Sequence, residues 1–311
     1  MINLTVKNLS QPKTKTRLTL ASSKNQMILT ALVFILPSLI GFVTFYGVPV
    51  IRALLISFTK WDLLSPAKNV GFANYIRLFQ DEEFWHALKV TLYYVLCNIP
   101  LETFLAIVIG VLMHRLTKSI VLRSIIILPW LISQVVAALI WQWLLDPQLG
   151  IVNAAMMAVG LPKQAFLGSV TLAIPTVAMI NIWRHTGYLA LLIFAGLQTI
   201  PDEIYEAAMM DGANEIRMFF SVTLQLLRPV IAFVLVTSVI GAFQVIDAIA
   251  VTTKGGPVDA TRVIYWFIYQ NSFEYFKFSY GATAAFVLFL MLIVISIFQM
   301  RVMRANTSDL A

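Results

Sequence analysis

The sequence "YEAAMMDGANEIRMFF", residues 205–220, is acidic and interrupted by a glycine, although strongly apolar sequence lies on both sides of it. Pro201 and Asp202 precede it, and a proline followed by acidic residues is typical of a helix start. Gly212 can adopt the left-handed backbone conformation that many helix ends require. The stretch therefore predicts a short helix, a sharp turn at Gly212 and a second helix between two long apolar segments.

The composition indicates the environment of this stretch. Of 311 residues, 59% are hydrophobic and only 12% are charged, whereas about a quarter of the residues in a soluble domain are charged. We therefore expect an integral membrane protein. Cys97 is the only cysteine in the sequence, which excludes a disulfide framework and a cysteine-based metal site. The polar N-terminal residues precede an apolar run that is too long for a cleaved signal peptide.

Six segments have the ~20 mainly apolar residues that a transmembrane helix needs. They are residues 27–48, 87–113, 120–144, 168–195, 230–252 and 280–302. Prolines interrupt four of them, which a helical bundle tolerates because neighbouring helices can satisfy the freed backbone groups. We predict an all-α polytopic membrane protein with one six-helix domain, residues 27–303, and polar tails at residues 1–26 and 304–311.

The Lys and Arg residues outside the spans predict the orientation, because cytoplasmic loops carry an excess of them. Ten lie on the side of the two termini and eight lie on the opposite side. We therefore expect both termini in the cytoplasm and external loops at residues 49–86, 145–167 and 253–279.

The connector between the fourth and fifth spans is Thr199–Pro229. It is several times longer than most helix–helix connections, which have about 2–8 residues. An ordinary inter-span connector is one interpretation of it. Its acidic character and its apolar side also suit docking into a cleft on a partner protein. The residues by themselves leave both interpretations open.

The motif "EAAMMDGA" (Glu206–Ala213), followed by "LLRP" (Leu226–Pro229), resembles the EAA loop of inner-membrane permease subunits of binding-protein-dependent ABC importers. "NIWRHTGYLALLIFAGLQTIPDEIYEAA" (Asn181–Ala208) and "TTKGGP" (Thr252–Pro257) are similar to the carbohydrate branch, with its maltose, lactose and glycerol-phosphate permeases. The resemblance extends over nearly all of the predicted domain. Gln225 departs from it, since the family usually has proline there, and this should loosen the second short helix.

The resemblance implies that the connector contains a coupling helix, which inserts into a groove of a cytoplasmic ATPase subunit. The matching positions are Glu206, Ala207, Ala208, Asp211, Gly212 and Pro229. It also implies a complex in the lipid of a bacterial inner membrane, formed by this chain, a second homologous permease, two ABC ATPase subunits and an external solute-binding protein for a sugar. ATP and Mg²⁺ would bind to the ATPase subunits, because this sequence lacks a Walker-type phosphate-binding motif. The chain itself is expected to be a translocation subunit without catalytic residues, metal, cofactor or nucleic-acid partner.

A polar face in the fourth apolar segment is the candidate for substrate binding. Four residues recur there at helical spacing: Asn181, Arg184, His185 and Tyr188. Amide, guanidinium and phenol groups can bind sugar hydroxyls, whereas a hydrogen-bonded seam between helices is the alternative. The resemblance implies that Asn181 and Tyr188 occupy sugar-contacting positions, and that His185 replaces a small residue and so changes the shape of the pocket.

The fifth apolar segment adds Ser238 and Gln244 to the candidate substrate residues. Ser238 resembles a contact position of the family, whereas the asparagines that bind maltose further along are absent, which argues against maltose itself. Asp247 lies near the outer end of the segment, where we expect a structural hydrogen bond. Trp141 and Trp183 are candidates for an apolar wall against a sugar ring.

Other functions fit parts of the sequence. Arg184 would favour a phosphorylated polyol such as glycerol phosphate, whereas acidic residues in the cavity would favour a polyamine. A self-sufficient secondary transporter fits less well, because no inverted repeat is recognisable. A membrane enzyme also fits less well, because the sequence shows no nucleophile–base pair or metal cluster. His86 and His114 flank spans, so we expect them at the membrane interface rather than in a metal site. The residues do not identify the solute.

Overall fold

The computed structural model describes residues 20–116 and 119–303, with side chains from Gln26 onward. The predicted tail 304–311 and most of the predicted tail 1–26 lie outside the described residues. The α-helices are α1 (Leu20–Phe42), α2 (Val48–Ser57), α3 (Ala73–Gln80), α4 (Glu82–Leu116), α5 (Ile120–Leu131), α6 (Gln134–Leu144), α7 (Ile151–Ala158), α8 (Ala173–Leu197), α9 (Asp202–Met210), α10 (Glu215–Met218), α11 (Leu224–Leu226), α12 (Arg228–Phe243), α13 (Asp247–Val251), α14 (Ile264–Tyr269) and α15 (Phe278–Val302).

Short irregular elements complete the described part of the chain. Three π-helical segments follow α1, α10 and α14: Val43–Gly47, Phe219–Thr223 and Gln270–Glu274. Strands β1 (Thr59–Lys60) and β2 (Lys68–Asn69) pair antiparallel, with Thr59 opposite Asn69. The chain forms two compact units that divide between Arg52 and Ala53.

The prediction of an all-α polytopic membrane protein is confirmed. Five helical stretches are long and apolar enough to cross a membrane: Gln26–Ser57, Glu82–Leu116, Ala173–Leu197, Arg228–Val251 and Phe278–Val302. They correspond to the first, second, fourth, fifth and sixth predicted spans. The boundary differs most in the first span, which was predicted to end at residue 48 and continues to Ser57.

The third predicted span differs from the prediction. α5 and α6 are bent by 90° relative to each other, so they form a sixth span only if the bent pair is counted as one. Pro129 lies within the last turn of α5, and it has no backbone N–H with which to continue the helical hydrogen bonds. The sequence predicted a span over residues 120–144 that a proline interrupts, and the structure shows that this interruption is a sharp bend.

α4 and α8 form the central helix pair of the second unit, and they run parallel. Asn98 Oδ1 of α4 accepts a hydrogen bond from Asn181 Nδ2 of α8 at 3.0 Å, and Gly110 packs against α8 further along in the same direction. A Cβ atom at Gly110 would lie 2.8 Å from Ile193 Cγ2 and 2.9 Å from the carbonyl oxygen of Ala190. Glycine therefore permits a closer approach of these helices than any other residue would.

The contacts of α4 define the two ends of this unit. At one end, the Tyr280 hydroxyl near the start of α15 donates a hydrogen bond to Asp81, just before α4 begins. At the other end, Arg115 Nη1 of α4 lies 2.7 Å from Glu215 Oε2 of α10. The connector therefore lies at the end opposite the start of α15.

Candidate functional site

A cavity of about 140 Å³ lies between α4, α8 and the junction of α12 with α13, and we call it the central cavity. Its lining consists of Tyr94, Glu102, Gln134, Asn181, Arg184, His185, Thr237, Ser238, Gly241, Ala242, Gln244, Val245, Ile246 and Asp247. Five of the six residues predicted to bind substrate line this cavity, and Tyr188 does not. The polar face of the fourth span and the polar residues of the fifth thus come together.

Glu102 is a residue of this cavity that the sequence analysis missed. It is only 1% exposed, and its carboxylate Oε1 lies 3.0 Å from His185 Nδ1. An acidic residue within an apolar span is a candidate functional residue by default, so a signal was present in the sequence. Its partner His185 lies on another helix, so the pairing depends on how the two helices pack.

A row of hydrogen-bonded side chains connects α4 with α8 along the cavity. Asn181 Nδ2 donates to Asn98 Oδ1 at 3.0 Å, and Asn98 Nδ2 donates to Glu102 Oε2 at 3.0 Å. Together with the contact to His185, both carboxylate oxygens of Glu102 are engaged. The seam between helices that was considered as an alternative is therefore present, and Asn181 and His185 belong to it while also lining the central cavity.

Arg184 binds the end of the broken third span. Its Nε donates to the carbonyl oxygen of Ile132 at 2.9 Å and its Nη2 to that of Trp130 at 3.4 Å. The last carbonyl groups of a helix have no partner within the helix, and a positive charge is favourable beside them. Arg184 thus stabilises the bend after α5, and its charge interacts with Asp247 on the same cavity.

Ser238, Gln244 and Asp247 line another part of the cavity, where the fifth span is interrupted between α12 and α13. Ser238 is buried, and its hydroxyl has no hydrogen-bond partner among the described residues. The expectation of a structural hydrogen bond for Asp247 was wrong, because in the described ranges its carboxylate forms neither a hydrogen bond nor an ion pair and instead faces the cavity. These polar groups are available to a ligand.

The aromatic residues proposed from the sequence pack between helices. The ring of Tyr188 stacks on Trp130, with centroids 4.6 Å and planes 11° apart, and its centroid lies 5.5 Å from that of His185. Trp141 and Trp183 contact each other edge to face, with centroids 5.5 Å apart, and neither lines the central cavity. Tyr188 and the two tryptophans thus support the helices around the cavity in this structure.

The connector folds as the sequence predicts, into a short helix, a turn and a second helix. α9 ends where Gly212 adopts φ +77°, and the N–H groups of Gly212 and Ala213 donate to the carbonyl oxygens of Met209 and Ala208 at 3.0 Å. This pair of bonds is the Schellman arrangement that ends many helices. The side chain of Asn214 then caps the start of α10.

One face of the connector is anchored to the membrane-spanning helices. Ile204 and Tyr205 pack against the buried cluster formed by α4, α8 and α12, and Thr223 Oγ1 donates to Tyr205 Oη at 3.4 Å. The ion pair between Arg115 and Glu215 adds a contact to the end of α4. A movement of the connector would therefore be transmitted to these helices.

The other face of the connector is exposed. Of the residues that resemble the family motif, Glu206, Ala207, Asp211 and Gly212 are exposed, whereas Ala208 and Pro229 are half-buried. Large apolar side chains are exposed as well: Met209, Met210, Ile216 and Phe220. Exposed apolar side chains next to acidic ones are typical of a protein-binding surface.

Residues 102–307 match the family described as "Binding-protein-dependent transport system inner membrane component". The match covers more than half of the chain and includes the connector and most of the residues around the central cavity. The chain therefore belongs to this family of inner-membrane transport components.

Individual relatives are similar over most of their length. The trehalose/maltose transport system permease protein MalF of Thermococcus litoralis is 32% identical over 274 residues, which cover 87% of this chain and 92% of the relative. The sn-glycerol-3-phosphate transport system permease protein UgpA of Yersinia pseudotuberculosis is 32% identical over 284 residues, which cover 89% of this chain and 90% of the relative. A solved bacterial alginate ABC transporter, in complex with alginate pentasaccharide-bound periplasmic protein, has a chain with a TM-score of 0.76 and 25% identity, covering 94% of this chain and 98% of that chain.

Proposed function

We propose that this chain is a permease subunit of an ATP-driven ABC importer, which carries a sugar or sugar-like solute from an external binding protein into the cytoplasm. The observation that carries the proposal is its likeness, over almost the whole chain, to the alginate transporter with its saccharide-bound periplasmic protein. The trehalose/maltose permease supports the same class of solute. A second homologous permease and two ATPase subunits, which bind ATP and Mg²⁺, complete the proposed complex.

The central cavity is proposed to contribute part of the solute site. Asn181, His185, Ser238 and Gln244 offer amide, imidazole and hydroxyl groups, which can hydrogen-bond to sugar hydroxyls. The volume of about 140 Å³ is below the ~300–1,000 Å³ of typical small-molecule sites. We therefore infer that the second permease supplies the remaining wall. Tyr188 would reach a solute only if its stacking on Trp130 opened during transport.

The exposed face of the connector is proposed to dock onto an ATPase subunit. The residues expected to make or position this contact are Glu206, Ala207, Ala208, Asp211, Gly212 and Pro229. The exposed side chains of Met209 and Met210 support the proposal, because apolar side chains in a water-exposed segment are stabilised by a partner. This assignment places the connector and both tails, residues 1–26 and 304–311, in the cytoplasm.

A phosphorylated polyol and a polyamine are the other candidate solutes. Similarity to the sn-glycerol-3-phosphate permease favours a phosphorylated polyol, although two of the nitrogen atoms of Arg184 already bind helix carbonyl groups. Glu102 and Asp247 on the cavity would instead favour a cationic polyamine, although Glu102 is engaged by His185. With basic and acidic side chains both present, a neutral sugar agrees best with the central cavity.

The test is purification of the tagged chain from its native membrane, identification of the accompanying proteins by mass spectrometry, and transport by the reconstituted complex. We expect a second permease, an ATPase and a secreted binding protein, with ATP-dependent uptake of a radiolabelled sugar. Glycerol phosphate and spermidine serve as competing solutes at equal concentration. Solute transport by the chain alone without ATP would overturn the proposal, and uptake of only a competitor would overturn the sugar assignment.

A further inference from the structure

A second cavity, lined by basic side chains, lies at the end of the bundle opposite the connector, and we call it the basic cavity. Four cationic residues line it: Lys60, Lys68, Arg77 and Lys277. Its volume is about 770 Å³, within the ~300–1,000 Å³ of typical small-molecule sites. Neither the connector nor the central cavity includes any of these residues.

The positive charge of this cavity exceeds its negative charge, because four cations line it together with one carboxylate, that of Asp62. None of the four cations forms an ion pair or a side-chain hydrogen bond there, and only Arg77 and Lys277 make cation–π contacts, with Tyr280 and Tyr275. The acidic residue of the lining, Asp62, accepts hydrogen bonds from the backbone and hydroxyl of Ser65 and from the backbone of Leu64. These bonds lower the pKa of Asp62 to about 2, and they engage its carboxylate locally. The cavity is therefore electropositive.

The walls of the basic cavity are held by hydrogen bonds between distant parts of the chain. Asn74 Nδ2 donates to the carbonyl oxygens of Ser57 and Thr59 at 2.8 and 2.7 Å. The hydroxyls of Thr59 and Ser279 are 2.9 Å apart, and the Ser279 N–H donates to the carbonyl oxygen of Trp61 at 3.3 Å. The cavity is thus largely preformed, so a ligand would bind without ordering these segments.

The position of the cavity along the spans corresponds to the membrane surface. Lys60 follows closely on Ser57, where the first span ends, and Lys277 directly precedes Phe278, where the last span begins. The Trp61 ring contacts that of Phe278, with centroids 5.6 Å apart. Tryptophan and tyrosine are enriched at the level of the lipid headgroups, so Lys60 and Lys277, at the ends of two spans, are expected at that level.

We propose that the basic cavity is a binding site for a phosphate group, supplied by the headgroup of an anionic membrane phospholipid. Arg and Lys bind phosphate oxygens through charge-assisted hydrogen bonds. The aromatic side chains of Trp61 and Phe276, which also line the cavity, offer apolar surface beside the charge. Soluble phosphate shares this chemistry and is distinguished by the experiment.

The test is native mass spectrometry of the full-length chain, purified with its accompanying subunits, during titration with phosphatidylglycerol, phosphatidylcholine or inorganic phosphate. The variant Lys60→Gln/Lys277→Gln removes two cations of the cavity. Lys163→Gln/Lys254→Gln is the matched control, because it removes the same charge from exposed loop positions outside the cavity. We expect phosphatidylglycerol to bind the first variant at least about tenfold more weakly, since loss of a single charge-assisted hydrogen bond already has about this effect. The control should bind like the wild type, and phosphatidylcholine should bind weakly throughout.

Each outcome decides the proposal. Selective loss of phosphatidylglycerol in the cavity variant supports a lipid site, and selective loss of inorganic phosphate without lipid binding supports a soluble phosphate ligand instead. Equal lipid affinity of the two variants, or no binding of either probe to the wild type, overturns the proposal and would leave an acidic protein surface as the partner to examine. Because all four lysines substituted are exposed, an unchanged melting temperature is expected in both variants and shows that they are folded. The variant Arg77→Lys retains the charge and should retain binding.

Discussion

Replacement of Glu102 tests whether the hydrogen-bonded row beside the central cavity holds α4 and α8 together. The carboxylate is buried, and its two oxygens contact His185 Nδ1 and Asn98 Nδ2, each at 3.0 Å. Glu102→Ala removes both contacts and leaves Asn98 Nδ2 and His185 Nδ1 without this partner. Glu102→Gln keeps an oxygen for Asn98 and an amide group beside His185.

The structure gives the magnitude of the expected effects. A buried polar group that loses its partner costs about 1–3 kcal/mol, so Glu102→Ala should lower the free energy of unfolding by about that amount, because Asn98 is buried whereas the His185 side chain is 27% exposed and can bind water. Glu102→Gln can re-form both contacts with neutral groups, and its effect on stability should stay within about 1 kcal/mol. Uptake should nevertheless fall in Glu102→Gln, because the carboxylate that orients His185 towards the cavity is absent.

The assay is thermal unfolding of the purified complex in detergent, followed by solute uptake at equal membrane levels of each variant. The expected order of melting temperature is wild type, then Glu102→Gln close behind, then Glu102→Ala well below both. Equal melting temperatures for all three would refute the reasoning that the row of side chains holds the helices. Normal uptake by Glu102→Gln would refute the functional importance of the contact with His185.

Three further predictions concern glycines and one aromatic side chain. Gly212→Val should uncouple ATP hydrolysis from uptake while the chain stays in the membrane. Gly212→Asn should still transport, because asparagine tolerates the positive φ of this position. Normal uptake by Gly212→Val would contradict a coupling role of this turn. Gly187→Ala should lower the free energy of unfolding by about 1–3 kcal/mol, because the added Cβ would lie 2.0 Å from the carbonyl oxygen of Ile126. Gly241→Ala is the control, because its Cβ would meet no atom of the neighbouring described residues within 4 Å. Equal melting temperatures of the two variants would contradict the expected clash at Gly187. Tyr188→Ala should impair uptake without loss of assembly. Tyr188→Phe keeps the ring that stacks on Trp130, so its uptake should be normal. Unchanged uptake kinetics in Tyr188→Ala would exclude a role of Tyr188 in transport.

The apolar spans could be predicted from the sequence because hydropathy and helix length are local properties. The bend between α5 and α6 could not be predicted, although Pro129 marked a weak position. A helix can end inside an apolar region only where its free carbonyl groups find donors. Here the donor is Arg184, a residue of α8, and its role depends on how the helices pack.

The candidate site was predictable to a similar extent. Helical spacing correctly placed Asn181, Arg184 and His185 beside one another, because three or four residues along a helix share a face. The same rule included Tyr188, whose ring instead stacks on Trp130, because spacing does not determine which neighbour a side chain meets. Glu102 required a different rule, that an acidic residue in an apolar span needs a partner, and that partner lies on another helix.

The central cavity and the connector lie on the same two helices, and this explains how movement at one could reach the other. α4 carries Glu102 at the cavity and Arg115 at the connector, about 20 Å apart along a continuous helix. Gly110 brings α4 into close contact with α8 between these two points, so the pair resists sliding or separation. A displacement of the exposed connector would therefore move the cavity wall as one body rather than being absorbed by bending. The interrupted third and fifth spans, by contrast, have breaks beside the cavity, and these are the places where the wall could change shape as the pair moves.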